Sequence, residues 1–464
     1  PSALDYTQRA SVLKTDPRGT SHMTPPENWA ERASRFTDKP AEMPGWQWQR
    51  IQELHRLGKW DLGGRINARA LLSLDTETYQ NGLRRILATA PRYWHGHLTS
   101  SWALFPNAFN DLLPDLVNDH LKLYWKAWLH PETEWTENPR KRSYFRQYTW
   151  SLGTQNFNYN ATAGCYLGGQ VVDSEHVLND ARYGLENLLL RAYGFYNVAN
   201  QQVGDTYYHA LSNAGAEMIA DYAGDNLGSL MARITSDKLT EQLVSMYHPG
   251  LRRMTHPMGR GEMKYQCSYQ DGPYFAVHTL SPSGALTDLQ AGYEAEHYKR
   301  VTRNSVPVFG KEGPPSRMAL LAPWAQQHWA NIVDEKSIPW QVTARDWSFH
   351  ADRGASLWHV NYLGQNYSLA SRSDKGVTSV TAQWRRRAEK VEHMEEISTL
   401  QLSFGTNGRM YQMMGAWGIL HDKNRLVALK ALPPKKLMKA PPNPDYGGGW
   451  RKEEKGRGGS SYNA

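Results

Sequence analysis

Apolar residues recur every three or four positions through "WQWQRIQELHRLGKW" (46–60), "NAFNDLLPDLVNDHLKLYWKAWL" (107–129), "SEHVLNDARYGLENLLLRAYGFY" (174–196) and "SDKLTEQLVSMY" (236–247). That spacing predicts amphipathic helices from about residue 25 to 305. Ser174 is placed to cap a helix over 175–195, and Gly194 falls at its end. The connecting stretches are rich in Gly, Pro, Asn and aromatic residues, as expected of helical hairpins arranged in a ring with their loops along one face. Beyond "PVFGKEGPPSRM" (307–318) the period shortens to two. "ASLWHVNYLGQNYSLASRS" (355–373), "VTSVTAQWRRR" (377–387), "STLQLSFG" (398–405), "RMYQMMGAWGIL" (409–420) and "RLVALKAL" (425–432) alternate and are broken by Gly, Asn and Asp turns. They predict an antiparallel β domain.

The expected organisation is a mobile segment over 1–24, a helical domain over 25–310, a linker over 311–336, a β domain over 337–434 and a Pro-, Gly- and Lys-rich linker or tail over 435–464. The fold class is α+β. At 464 residues the chain can bury a large core. The longest apolar run, "MALLAPWA", is far short of the ~18 residues of a membrane helix, so no membrane span is expected. Two cysteines, Cys165 and Cys267, exclude a disulfide scaffold and a Cys-based zinc site.

The net charge of +8 points to a polyanionic partner, and 18 Trp and 25 Tyr beside 10 Phe supply aromatic surface with polar handles. The chain lacks a phosphate-binding GxxxxGK[ST] loop, a GxGxxG, an HExxH and a GxSxG. No helix-turn-helix, RNA-recognition or zinc-finger signature is present, so no nucleic-acid partner is expected. "WHGH" (94–97) and "HPGLRRMTH" (248–256) hold paired histidines without a matching carboxylate or third ligand, which reads as loop or cap histidines rather than a metal site.

Three stretches concentrate polar side chains among small residues. Asn158, Tyr159, Asn160 and Thr162 precede "CYLGG" (165–169), which reads as a turn. Asp205, Thr206, Tyr207, Tyr208, His209, Ser212 and Asn213 follow, and then Tyr222. Arg260 stands between glycines in "HPMGRGEMKYQ". β-Elimination on a uronic acid polymer needs such a set. Asn and Arg neutralise the carboxylate beside C5 without titrating, a His or ionised Tyr takes the C5 proton, and a Tyr hydroxyl protonates the leaving oxygen. Each residue also has a plainer reading. The asparagines serve as caps or turn formers, "Asn160-Ala161-Thr162" is a glycosylation acceptor, the tyrosines pack, His209 is a satisfied buried histidine and Arg260 pairs with Glu262.

In these motifs the chain resembles the toroid-type polysaccharide lyases, the group of the chondroitin AC and hyaluronate lyases and the heparinase- and alginate-lyase-like enzymes. Asn160, then "GDTYYH" with Tyr208 and His209, then Tyr222, then Arg260 in "MGRGEMK" match the order of that group's motifs. "GDT" stands where the group has "DGS", and Ala161 stands where several members have His. The resemblance implies an N-terminal incomplete (α/α) toroid followed by an antiparallel β-sheet or sandwich domain. It implies a secreted or periplasmic lyase with an acidic polysaccharide substrate and no cofactor. Asn160, His209, Tyr208, Tyr222 and Arg260 would be catalytic, with Asn158, Trp94, His97 and Tyr207 binding substrate. If Asn160 and Arg260 converge, Cys165 and Cys267 come near each other, either bonded or as two separate thiols. Two other functions compete: a glycoside hydrolase using Asp173 with Glu175, or Asp205 with Asp221 or Glu217, and a non-catalytic binder of acidic glycan.

Overall fold

Two successive helical hairpins position everything else. The computed structural model describes residues 23–56, 70–88, 100–129, 145, 146, 149, 155–194, 208–255, 279–283, 327–347, 356–372, 380–386, 391, 396–401, 404–406, 409–411 and 418–429. The first helices are α1 (Trp29–Thr37), α2 (Gly45–Arg56), α3 (Thr76–Ala88), α4 (Leu104–Ala108) and α5 (Asp115–Leu129). The hairpins follow as α6 (Gln155–Val172) with α7 (Glu175–Gly194), and α8 (Tyr208–Tyr222) with α9 (Asn226–Met246).

Each hairpin turns on a local cap. At the end of α6, Asp173 takes a left-handed φ of 54°, and the Ser174 N–H donates to the Gly169 carbonyl at 3.1 Å. This pairing closes the helix and lets Ser174 begin the next one, as its position in the sequence predicts. Before α9, the Asp225 carboxylate accepts the Gly228 N–H at 2.7 Å and also receives the Tyr166 hydroxyl.

The hairpins stack with like helices parallel. Near their C-terminal ends, Gln170 of α6 donates to the Tyr222 carbonyl at 3.0 Å and accepts the Gly224 N–H at 2.6 Å. Toward their N-terminal ends, a Cβ on Gly215 of α8 would stand 2.8 Å from the Tyr159 carbonyl oxygen of α6. The outer pair agrees, with Arg182 3.9 Å from Asp225 and Lys238 5.4 Å above the Tyr193 ring. Residues 158–169 and 212–220 are buried without a break, so α6 and α8 form an inner layer, whereas α7 and α9 carry the exposed Tyr183, Leu190, Leu227 and Leu230. A helix apolar on every side has no solvent face to give, which explains why these two show no clean amphipathic stripe. Tyr159, Leu188, Ala216 and Leu239, one from each helix, form a buried cluster where all four meet. "CYLGG" is therefore helix interior rather than a turn. Its glycines admit neighbours: Gly168 lies under the Trp125 ring of α5.

After α9 the strands begin: β1 (Tyr247–His248) and β2 (Arg253–Met254) pair antiparallel. Within the expected linker, residues 327–334 form a 3-10 turn and α10 (Ala330–Asp334), fastened to α9 by Trp329 Nε1–H donating to Asp237 at 2.7 Å. A five-stranded antiparallel sheet follows in sequence order, β3 (Trp340–Trp347), β4 (Ser356–Leu363), β5 (Tyr367–Arg372), β6 (Val380–Arg385) and β7 (Ile397–Gln401). Two separate two-stranded hairpins follow, β8 (Phe404–Thr406) with β9 (Arg409–Tyr411), and β10 (Gly418–Asp422) with β11 (Arg425–Leu429). The protein is thus a mixed α+β structure with antiparallel sheets, and no helix among the described residues is long and apolar enough to cross a membrane.

The sheet is joined to the helices by polar groups. His248 Nε2–H donates to the Gly364 carbonyl at 2.7 Å, while its Nδ1 accepts the Leu251 N–H at 3.2 Å. That tautomer is neutral, and burial lowers the imidazole pKa to about 4. Lys336 donates to the Tyr247 carbonyl at 2.6 Å and to that of Val244, satisfying acceptors at the C-terminal end of α9. Asn361 of β4 donates to Thr255 Oγ1 at 2.8 Å, and Thr255 in turn donates to the Met246 carbonyl at 2.8 Å.

The inner-layer contact predicts a stability effect. Gly215→Ala forces a Cβ into a backbone carbonyl and should cost about 1–3 kcal/mol in urea unfolding. Gly45→Ala, with nothing within 4 Å of the new carbon, should be neutral or slightly stabilising. Equal stability of the two variants would show that α6 and α8 do not touch at this point.

Candidate functional site

The parallel course of α6 and α8 places their N-terminal ends together. Asn158 and Asn160 lie in the first two turns of α6, and Tyr208 and His209 are the first two residues of α8. Because Tyr159 lies against Gly215, Asn160 stands roughly level with Ala216, and His209 is seven residues, about 10 Å, nearer that shared end. α9 runs antiparallel to α8, so Met246, His248 and the sheet docked on them belong to this end as well. The helix directions thus place the backbones of Asn158, Asn160, Tyr208 and His209 toward the end that carries the helix–sheet joint, with about 10 Å of axial rise between Asn160 and His209.

Asn158 and Asn160 are 2% and 0% exposed. The fully buried Asn160 amide leaves no space for a bulky glycan, so the glycosylation reading does not fit this structure. Tyr222 is the last residue of α8, about 21 Å along the axis from Tyr208, with its hydroxyl pKa raised by burial. The structure therefore separates Tyr222 from the other candidates and gives it a packing position against the large core. Trp94, His97, Tyr207 and Arg260 lie outside the described residues. Cys165 is a free, buried thiol, in contact with Thr149 Oγ1 at 3.3 Å and pushed up to about 12 by desolvation; Cys267 lies outside the described residues. The bonded alternative for the cysteines is not realised at Cys165.

A cation that the motif reading missed lies at the same end. Arg191, in the last turn of α7, is 9% exposed beside Tyr159, and burial lowers its pKa. The sequence held a signal for it. Ala181, Leu185, Leu188 and Ala192 are the buried stripe of α7, and Arg191 falls on that stripe.

The carboxylates named for a hydrolase are placed elsewhere. Glu175 pairs with Arg182 at 2.6 Å at the surface, and Asp205 lies outside the described residues. Glu217 and Asp221, one turn apart on α8, face α9: Glu217 contacts Ser236, and Asp221 lies 3.8 Å from Arg233. They belong to a polar seam in which Ser236 Oγ also meets Asn213 Oδ1 at 2.7 Å, and Asn213 Nδ2 meets Thr240 Oγ1 at 3.2 Å. The Ser236 hydroxyl has one proton for two acceptors. If it goes to Asn213, the Glu217 carboxyl must supply the other. Burial raises the Glu217 pKa well above the usual range, with Asp221 adding to the shift, and raises that of Asp221 to about 7. A neutral Glu217 accounts for both Ser236 contacts.

The sign of the pH dependence follows. Both carboxyls hold protons more tightly folded than unfolded, so their contribution is complete below pH ~4 and is lost as pH rises toward 7. His248 acts in the opposite direction, its contribution being lost as pH falls from ~6.5 toward 4. The comparison with a variant isolates the carboxyls. The double substitution Glu217→Gln, Asp221→Asn should flatten the decline in thermal melting temperature between pH 5 and 7.5. Parallel profiles for the two proteins would show that neither group carries a shifted proton.

Comparison of the chain with family models, with curated proteins and with solved structures finds no match.

Proposed function

We propose that the protein is a polysaccharide lyase that cleaves a uronic-acid-containing anionic polysaccharide by β-elimination, outside the cytoplasm. The observation that supports this reading is the parallel packing of α6 and α8, which gives the helix of Asn158 and Asn160 and the helix that begins at Tyr208 and His209 a common N-terminal end. Inner and outer helices alternating in antiparallel hairpins are the unit that an (α/α) toroid repeats. The sheet that follows stands where the resemblance expects a β domain.

In this proposal His209, or Tyr208 as its anion, takes the proton from C5. The electron pair left on C5 forms the C4–C5 double bond as the C4–O4 bond breaks, and O4 takes its proton from the Tyr208 hydroxyl, either its own where His209 is the base or the one just taken from C5 where Tyr208 is the base. Asn158, Asn160 and Arg260 neutralise the sugar carboxylate, and Arg191 adds positive potential at the same end. Asn158 and Asn160 are enclosed by protein, so the sugar must replace some of their present neighbours when it binds. Tyr222 has no part in the step. The hydrolase alternative gains nothing from Glu217 and Asp221, which are engaged with α9.

The test is to incubate the protein with alginate, glucuronan, hyaluronate, chondroitin, heparan and ulvan and follow absorbance of the unsaturated product. Absorbance should rise with at least one polymer, and the rate should increase through neutral pH as the base loses its proton. His209→Ala and Asn160→Ala should each lower turnover by ~10²-fold or more while retaining cooperative melting. New reducing ends without absorbance would identify a hydrolase instead. Absence of chain shortening with every polymer would overturn the enzymatic reading.

A further inference from the structure

The five-stranded sheet presents two unlike faces. One carries the buried His359, Asn361, Ser368, Thr381 and Gln383, which lie on the side fastened to Thr255 and the helices. On the other, Tyr362, Leu369, Ala382 and Leu400 form one cross-strand row, and Tyr367, Trp384 and Ser398 form the next. Trp384 is 40% exposed and Leu400 57% exposed, with Tyr362 and Tyr367 half-buried and their ring centres 6.0 Å apart.

The β10–β11 hairpin covers only part of this face. His421 Nδ1 meets Ser371 Oγ at 2.7 Å, and the hairpin turn is held where the Lys423 N–H donates to Gln341 at 2.8 Å and Asn424 hydrogen-bonds Tyr367. The turn therefore forms a wall beside the aromatic rows. It carries exposed Lys423 and Arg425 beside Asp422, and exposed Arg386 follows the end of β6 next to Glu396, while Arg385 alternates to the opposite face and donates to Asn366 at 2.7 Å.

We infer that this face is a secondary binding platform for an anionic polysaccharide strand, separate from the end of α6 and α8. Its occupant rests on the substrate class proposed above, but its evidence is the sheet. A pyranose ring has an apolar C–H face and a polar rim. Trp384 and the tyrosines offer flat apolar surface with hydroxyls at the edge, over a floor kept low by Ala382, and that combination suits a sugar ring lying flat. The excess of cations along the hairpin wall and the end of β6 suits carboxylate or sulfate groups projecting from its rim. A long substrate held here would stay attached between cleavages.

The test separates binding from cleavage. Migration of the full-length protein through gels containing hyaluronate or alginate reports retention, and turnover of short oligosaccharides of the same polymer reports the helical site. Trp384→Ala should weaken retention about 10-fold and Lys423→Glu several-fold, both in a salt-sensitive way, with oligosaccharide turnover unchanged. Leu400→Glu, at an exposed position, should also weaken retention and serves if Trp384→Ala does not fold. Retention without cleavage would remove the lyase proposal and leave the platform standing. Unchanged retention in the folded variants, lack of retention of the wild type, or conversion of a dimer to a monomer by Trp384→Ala would overturn the platform.

Discussion

The described architecture depends on one close approach, the backbone of α8 at Gly215 lying against the carbonyl of Tyr159 on α6. Any side chain at 215 would push the inner helices apart. Parallel packing of these two helices is what makes the hairpins stack in register, and it is what gives α6 and α8 a common N-terminal end. The Gln170 amide, bonded to Tyr222 and Gly224, fixes the other end of the same pair. Between these two points the inner helices need no solvent-facing residues, because α7 and α9 take the surface.

A layer buried this completely leaves little room for charge, and the polar groups it does contain are arranged accordingly. Along the α8–α9 seam, Asn213, Ser236 and Thr240 exchange hydrogen bonds, and Glu217 fits among them as a neutral acid. At the joint to the sheet, His248 is neutral and uses both ring nitrogens, while Lys336 satisfies the carbonyls at the end of α9. Each site uses a titratable side chain to satisfy buried backbone or side-chain atoms, which costs less than leaving those atoms unpaired. The same joint brings the sheet to the end of the helices where the Asn and His–Tyr pairs lie.

Much of the fold was legible in the sequence. The two-residue period found β4, β5, β6 and β11, and the three-to-four-residue period with Ser174 and Gly194 found α7 almost to the residue. The inner helices were the least legible. By its glycines "CYLGG" reads as a turn, whereas in the helix those glycines admit Trp125. The residue types around Ser212 and Asn213 suggest a site, whereas those side chains are buried and Asn213 bonds Thr240 of α9. Local pattern reports solvent exposure, and a helix with no exposed side leaves no such pattern. At the candidate site, residue types suggested which groups belong together, but only the helix directions distinguish Asn160, Tyr208 and His209 from Tyr222 at the far end. Arg191 escaped because it carries no motif and is noticed only once the inward stripe of α7 is known.

The direction of the helices is therefore the claim to test first, and the outer helices report it. Each runs antiparallel to its inner partner, and Tyr183, Tyr193 and Leu227 are exposed enough to carry spin labels in a chain whose two cysteines have been replaced. The distance between labels at 183 and 227 should be shorter than that between 193 and 227 by on the order of 10–15 Å, the rise of α7 across that interval. The reverse order would mean that the hairpins stack head to tail, which would separate Asn160 from His209 and remove the shared end on which the site is built.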